Sequence, residues 1–474
     1  MKSYDLKPTN ENILETLKND RIRRRLYLIN FLKFLDIVNT NATISLDGEW
    51  GSGKTFFIKQ IIYVLLNTNI FIENENMEAN REELEKYLGK DIMYDRTFLP
   101  VYYNAWKNDN LMDPLLSVIR EIINSYSSTK KFTGNTDVIS GIKSIAKDII
   151  SSFELHIPLP NKENPANPGS IDISGENLSN VIDSLDHLKK KNYLEQLEEE
   201  DVLQEKINQL FNQICEEKGD RIIVFIDELD RCKPTFAINL LERIKHYFDN
   251  EKITFVFSTN IIELQNTIKN YYGNNFDAEN YLDKFFNFRF QLPTIDINEY
   301  LQFLGETLNT SYESTQLLFI MEHFKFSMRN INHYLQTYDI VSRLFKSYNN
   351  ITSDYGLQFC SDCIIPILVY LYLFDKKRYK NFLMGNEEEF FISLMLCKIN
   401  DTYIKDFVFL TSSLSGSETR EKGSLRAIYN LIFSQENYDT FFAKAISTKY
   451  KFVPKIKNIL ESCMSCLFDV SLFN

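Results

Sequence analysis

Gly48-Glu49-Trp50-Gly51-Ser52-Gly53-Lys54-Thr55 sets three glycines ahead of a lysine and a hydroxyl, in the spacing G-x-x-x-x-G-K-[ST]. Glycines allow consecutive backbone N–H groups to converge on one anion, because no Cβ stands in the way. A helix starting near Gly53 would add the positive end of its dipole. Lys54 is then placed for the β- and γ-phosphates of a nucleotide, and the Thr55 hydroxyl for one position around Mg²⁺. With Phe56, the next residue, these positions make up the expected phosphate-binding surface.

A second constellation lies far along the chain, where the apolar run Ile222–Ile226 ends in Asp227-Glu228-Leu229-Asp230-Arg231. In an open parallel sheet, ligands sit beyond the carboxyl ends of the strands, which is where Asp227 and Glu228 would emerge. Asp227 is the natural Mg²⁺ partner of Thr55, through water. Glu228 is suited to polarise an attacking water as general base. A base for water beside the Mg²⁺ aspartate favours hydrolysis over transfer to a small-molecule acceptor. A further run, Ile253–Phe257, ends in Ser258-Thr259-Asn260. Asn260, with Thr259 second, is placed to orient the water; capping of the next helix is the equal alternative for Asn260.

The elements that would carry these groups alternate. A β-like run, Ala42–Leu46, precedes the glycine loop, and an apolar helix, Phe56–Leu66, follows it. Glu78–Leu88 reads as a helix closed by Gly89, Phe98–Tyr103 as a strand and Leu111–Tyr126 as a buried helix. Residues 127–180 are polar, hold Pro158, Pro160, Pro165 and Pro168, and read as an insertion; 182–217 read as a long charged helix. Arg221–Ile226 has the uninterrupted apolar character of a strand buried on both faces. Thr235–Phe248 then reads as a helix, Ile253–Phe257 as a strand and Asn287–Leu292 as β-like. This alternation predicts an α/β fold with a parallel sheet. After Pro293 the strand signal stops and residues 296–474 read as helical. The expected division is an N-terminal helical segment (1–40), two core halves (41–126 and 218–295) around an insertion (127–217), a helical segment (296–345) and a helical C-terminal domain (346–474).

Composition narrows the classes. Only 15 glycines and 11 prolines in 474 residues argue against a turn-rich all-β protein. A formal charge of −12, from 53 basic and 65 acidic side chains, excludes a uniformly basic nucleic-acid coat but leaves a local basic groove open. Arg21, Arg23, Arg24 and Arg25 form one such cluster, read as a solvated helix face or as the adenine side of the nucleotide pocket. No apolar stretch reaches the roughly 18 residues of a membrane span. The best run, Cys363–Phe374, reads as a buried helix. Without a signal-peptide core and with seven cysteines, the expected location is the reducing cytoplasm. Cys360-x-x-Cys363 and Cys463-x-x-Cys466 have the internal spacing of a four-thiolate zinc site and equally that of a buried helix face. Trp106 is expected to pack rather than to stack on a base.

Several of these motifs together resemble the KAP family of P-loop NTPases. The loop resembles the family's G-x-W-G-S-G-K-[ST], Trp50 included, and Tyr103-Asn104-Ala105-Trp106 is similar to its F-N-A-W. Asp227–Arg231 resembles D-D-x-D-R, Tyr281–Phe286 resembles Y-L-x-K-[IF]-[FI], and Ser327-Met328-Arg329-Asn330 is similar to a later S-x-R-x motif. Asp20-Arg21 looks like the pair that opens the family's domain. The resemblance covers about residues 15–345. It implies an additional-strand, AAA-like P-loop fold, ATP and Mg²⁺ as ligands, and ATP hydrolysis. It also favours a sensor role for Arg329. Arg231, Arg289 and Arg329 could each reach a γ-phosphate, within the subunit or from a neighbour, and structural pairing with Asp230 or Asp227 is the equal alternative for Arg231. Many members carry transmembrane helices between the two nucleotide motifs, whereas the insertion here is polar. Glu228 stands where the family commonly has Asp. The expected activity is a Mg²⁺-dependent ATPase whose nucleotide state drives assembly, as a homo-oligomer, or contact with a protein partner. Family analogy adds an association with bacterial defence against phage or mobile elements. The alternative expectations are an ATP-binding scaffold with negligible hydrolysis and a small-molecule phosphotransferase.

Overall fold

Five strands form one parallel sheet: β1 (Ala42–Asp47), β3 (Phe98–Asn104), β5 (Arg221–Asp227), β6 (Ile253–Thr259) and β7 (Phe288–Gln291). Their order is β3-β5-β6-β1-β7, and every neighbouring pair is parallel. β6 therefore lies between the strand that leads into the glycine loop and the strand that ends in the carboxylates. That is the additional-strand P-loop arrangement that the family resemblance implies. A separate antiparallel pair joins β2 (Ile72–Glu73) to β4 (Lys130–Lys131). The computed structural model describes residues 7–20, 23–38, 40–73, 77–89, 97–110, 113–128, 130–131, 193–303, 312–348, 355–397, 420–433 and 456–465. Most of the expected insertion and the start of its charged helix lie outside the described residues.

Every residue of β5 and of β6 is buried, as the apolar runs required. Side chains of a strand alternate between the two faces, and the core divides accordingly. Ile222, Val224 and Ile226 enter one apolar cluster with α5 (Pro114–Ser128), α6 (Tyr193–Lys218), α7 (Pro234–Tyr247) and α8 (Ile261–Tyr272). Ile223 and Phe225 enter the other, with α1 (Asn10–Asn19), α2 (Arg25–Ile37), α3 (Lys54–Thr68) and α4 (Met77–Leu88). The sheet is thus covered on both faces, which is the condition under which purely parallel strands are stable.

The chain divides into two compact units, one within Leu6–Thr294 and one within Ile295–Asn474. The second is helical throughout its described residues: Ile297–Phe303, Tyr312–His323, Met328–Tyr348, Ile365–Phe374, Glu388–Leu396 and Arg420–Phe433 are its principal helices. Its run Leu357–Phe374 has the length and apolarity to cross a membrane, but 72% of it is buried within the protein. The expectation that no apolar run is long enough is corrected in this respect. A turn of π-helix at Cys360–Ile364 joins a short helix to Ile365–Phe374 and makes one continuous helical rod. Cys360, Cys363 and Cys463 are buried, while Cys466 lies outside the described residues. No group of three or more potential metal ligands occurs among the described residues.

One backbone position limits how β5 is entered. Gly219, between α6 and β5, has φ +135°, and a Cβ there would lie 2.7 Å from the Thr97 carbonyl oxygen. Gly219→Ala is expected to destabilise the protein by about 1–3 kcal/mol, read as a lower melting temperature. An unchanged melting temperature would show that the turn has room to relax.

Candidate functional site

Register and alternation decide what meets at the carboxyl rim of the sheet. Asn104 is aligned with Asp227, Asp227 with Ser258, and Asp47 with Thr259. Asp227 shares the parity of Ile223 and Phe225, so it turns toward the face covered by α3. Tyr102 packs against that same cluster, and Ser258, two residues beyond Val256, has the same parity. The Thr55 hydroxyl, in the first turn of α3, donates to Asp227 Oδ2 at 2.6 Å. Tyr102 donates to the same oxygen at 3.1 Å, while the Ser258 hydroxyl (2.8 Å) and the Glu228 N–H (3.1 Å) donate to Oδ1. The carboxylate is therefore buried and fully engaged.

The glycine loop closes on itself ahead of α3. Gly51 and Gly53 adopt φ of +80° and +87°, and the Ser52 N–H donates to the Glu49 carbonyl at 3.2 Å. Lys54 folds back so that Nζ donates to the Gly48 carbonyl and, at 3.1 Å, to the Glu49 carbonyl. Burial lowers its pKa, opposed by the charges of Asp230, Asp227 and Asp47. A Cβ on Gly48 would stand 2.9 Å from Ser52 Oγ, a buried hydroxyl with no hydrogen-bond partner among the described residues. A tight glycine turn that brings together an ammonium and a buried hydroxyl fits the phosphates of a nucleotide. The Thr55 and Asp227 oxygens, hard donors side by side, fit a small divalent cation.

Glu228 takes a left-handed backbone (φ 62°, ψ 28°), unusual for a residue with a Cβ. The turn carries its carboxylate between two donors: Asn104 Nδ2 donates to Oε2 at 3.1 Å, and Arg231 pairs with Oε1 at 3.2 Å. Arg231 also lies over the Trp106 ring, 5.5 Å from its centroid. Its structural partner is thus Glu228, where the sequence pointed to Asp227 or Asp230. Asp230 instead accepts from the Trp50 indole N–H. Trp50 and Trp106 are 45% and 50% exposed, so Trp106 is not the core residue expected.

Other expected positions are more distant from the carboxylates or otherwise occupied. Asn260 Oδ1 accepts from the Glu263 N–H at 3.4 Å and caps α8, which is the alternative its position allowed. The group of β6 that touches Asp227 is Ser258, two residues earlier. Arg289 lies beside Ser45, within the strands rather than at their ends, and pairs with Asp283. Phe56 is partly buried against the α3-side core. Arg329 is exposed in the first turn of Met328–Tyr348, in the second unit. Sequence reasoning assigned no role to Tyr102, Asn104 or Ser258, although strand parity and the parallel register would have pointed to all three.

Residues 24–353 match the KAP family P-loop domain. The chain belongs to the KAP family. Membership makes it a nucleotide-binding P-loop NTPase. No curated protein matches the KAP chain. Among solved structures, the Aeropyrum pernix ORC2 protein (ADPNP–ADP complexes) aligns with 94% of this KAP chain and 94% of its own, at 11% identity and a TM-score of 0.31.

Two measurements test the support around Asp227. Tyr102→Phe and Ser258→Ala each remove one donor, and each is expected to raise the Mg²⁺ concentration needed for half-maximal nucleotide binding about tenfold; equal Mg²⁺ dependence would refute the assignment. Lys59 Nζ lies 3.1 Å from the Tyr102 ring centroid, and burial lowers its pKa to about 8. The unfolded chain, with a lysine pKa of about 10.4, holds more of this proton between those values. The group therefore costs stability below pH 8, and the cost fades as pH rises toward about 10. Lys59→Met is expected to melt above wild type at pH 7, with the gap narrowing by pH 10; a gap independent of pH would contradict the assigned burial.

Proposed function

We propose that the protein is a Mg²⁺-dependent ATPase that acts as a nucleotide-driven switch for its own assembly or for binding a protein partner. The observation that carries this reading is the contact between Thr55 and Asp227. It brings the phosphate loop and the carboxylate strand to one point, with Glu228 immediately beside it.

In this reading the loop N–H groups and Lys54 hold the β- and γ-phosphates of ATP. Mg²⁺, held through Thr55 and Asp227, would supply charge neutralisation across the phosphate oxygens. Glu228 accepts a proton from the water whose oxygen attacks the γ-phosphorus, and ADP leaves with the β-phosphate oxygen. Glu228 must first part from Asn104 and Arg231, and Arg231 so released is a cation available to the transferring phosphoryl group. Arg329 is the candidate sensor by family analogy. A cytoplasmic location and a role in defence against phage or mobile elements belong to this proposal as family analogy.

A second reading, an ATP-binding scaffold with negligible hydrolysis, is favoured by one observation. Both oxygens of Glu228 are held by neighbouring side chains, so the base is restrained rather than poised.

Lys54→Ala is expected to abolish ATP binding. Glu228→Gln is expected to keep it and to lower phosphate release at least about 100-fold. Phosphate release unchanged in Glu228→Gln would remove Glu228 as the base, and tight binding by wild type without turnover would select the scaffold. Mass measurement with and without ATP, on wild type and Glu228→Gln, reads assembly in the same samples; a mass indifferent to ATP in both would refute nucleotide-driven self-assembly.

A further inference from the structure

Arg24 is only 3% exposed, although it comes from the basic cluster at the start of α2. Its guanidinium forks between two backbone carbonyls. NH1 donates to the Ser52 carbonyl, inside the phosphate loop, at 2.9 Å, and NH2 donates to the Pro293 carbonyl. Nε is buried and has no hydrogen-bond partner among the described residues. Among the described residues no carboxylate forms an ion pair with Arg24. Burial lowers its pKa to about 10, so the group is still a cation at neutral pH.

A buried cation that has no anion among the described residues is an expensive arrangement. Its position shows what it serves. The Ser52 carbonyl and the Gly53 N–H belong to one planar trans peptide and point in opposite directions. Holding the carbonyl on Arg24 therefore fixes the N–H on the other side of the backbone. Gly53 is the N-cap of α3, so this N–H is among the groups that a helix start offers to an anion. Fixing it beforehand removes an ordering cost from anion binding.

We propose that Arg24 is a positioning residue of the phosphate loop: it fixes the Ser52–Gly53 peptide for an anion, and the phosphates of the bound nucleotide supply a counter-charge that the described residues do not. The inference rests on the nucleotide-binding reading of the loop and adds to it a residue that acts from behind the backbone.

The test uses the full chain and two competitors of a fluorescent ATP analogue, ATP and inorganic tripolyphosphate. Arg24→Met is expected to weaken both by the same factor, about tenfold or more, with a ligand-free melting temperature equal to or above that of wild type. Arg24→Lys keeps the charge but cannot span both carbonyls with a planar fork, and is expected to fall between. Weakening of ATP without weakening of tripolyphosphate would assign Arg24 to the base instead and overturn the proposal. Unchanged affinity would also overturn it, as would a lowered ligand-free melting temperature with unchanged affinity. Should Arg24→Met not fold, Arg24→Lys decides alone: an equal loss for both competitors supports the proposal, and no loss or a loss confined to ATP overturns it. Wild type that binds no better than Lys54→Ala would instead remove the functional reading on which the proposal stands.

Discussion

The hydrogen bond from the Thr55 hydroxyl to the Asp227 carboxylate joins the first turn of α3 to the last residue of β5. Most of the nucleotide-binding unit can be understood as what makes that contact hold. Thr55 is placed by β1 and by a loop that turns through two left-handed glycines. Asp227 is placed by β5, which is reached across β6 and held in register by both neighbours. A slip of one residue would turn Asp227 to the opposite face and bring Ile226 to the loop. The apolar alternation on β5 makes such a slip costly, because Ile223 and Phe225 would exchange cores with Ile222, Val224 and Ile226.

The same rim concentrates groups that a core would not otherwise contain. Lys54, Asp227, Asp230 and Ser258 are all buried. Asp227 is tolerated because each carboxylate oxygen has two donors, and hydrogen bonds to a charged group contribute about 1.5–3 kcal/mol apiece. Glu228 carries a different cost, the left-handed backbone of a residue with a Cβ, on the order of 1–2 kcal/mol. Its side chain is held by Asn104 and Arg231, and the two contacts over-determine a conformation that the backbone alone disfavours. Strain of this sort beside Asp227 gives the segment Glu228–Arg231 a reason to rearrange when the local charge changes.

Much of the architecture was legible because it is written in local patterns. The glycine loop is contiguous, β5 and β6 are uninterrupted apolar runs, and the helix starts and ends carry ordinary signals such as Gly89. Long-range pairing is not written this way, and the site depends on it. Ser258 and Thr259 look equivalent in the sequence; only the parity of β6 against β5 shows that Ser258 faces Asp227. Asn260 lies past the end of that strand, where it caps α8. Arg289 falls in the body of β7, a position visible only once β7 is aligned with β1. Arg24 was one of four neighbouring basic residues. Nothing local distinguishes the one that is buried between Ser52 and Pro293, since those partners lie 28 and 269 residues away.

Apolarity by itself is an equally incomplete signal in the helical unit. Leu357–Phe374 passes on length and composition as a membrane span, yet its features fit a protein interior better than lipid. Ser361 and Asp362 are buried within it, and a buried carboxyl group is far harder to accommodate against hydrocarbon than among protein partners. Pro366 lacks the N–H that would bond back to residue 362. The rod absorbs that loss through the π turn just before it, where the Ile365 N–H reaches the Cys360 carbonyl. Tyr334, on the neighbouring long helix, donates its hydroxyl to the Pro366 carbonyl at 3.0 Å, and Ile364, Ile365, Ile367 and Leu368 have no accessible surface. A lipid-facing helix must leave such side chains uncovered. Here the surrounding helices cover them, so the most apolar stretch of the sequence is accounted for as the core of its unit.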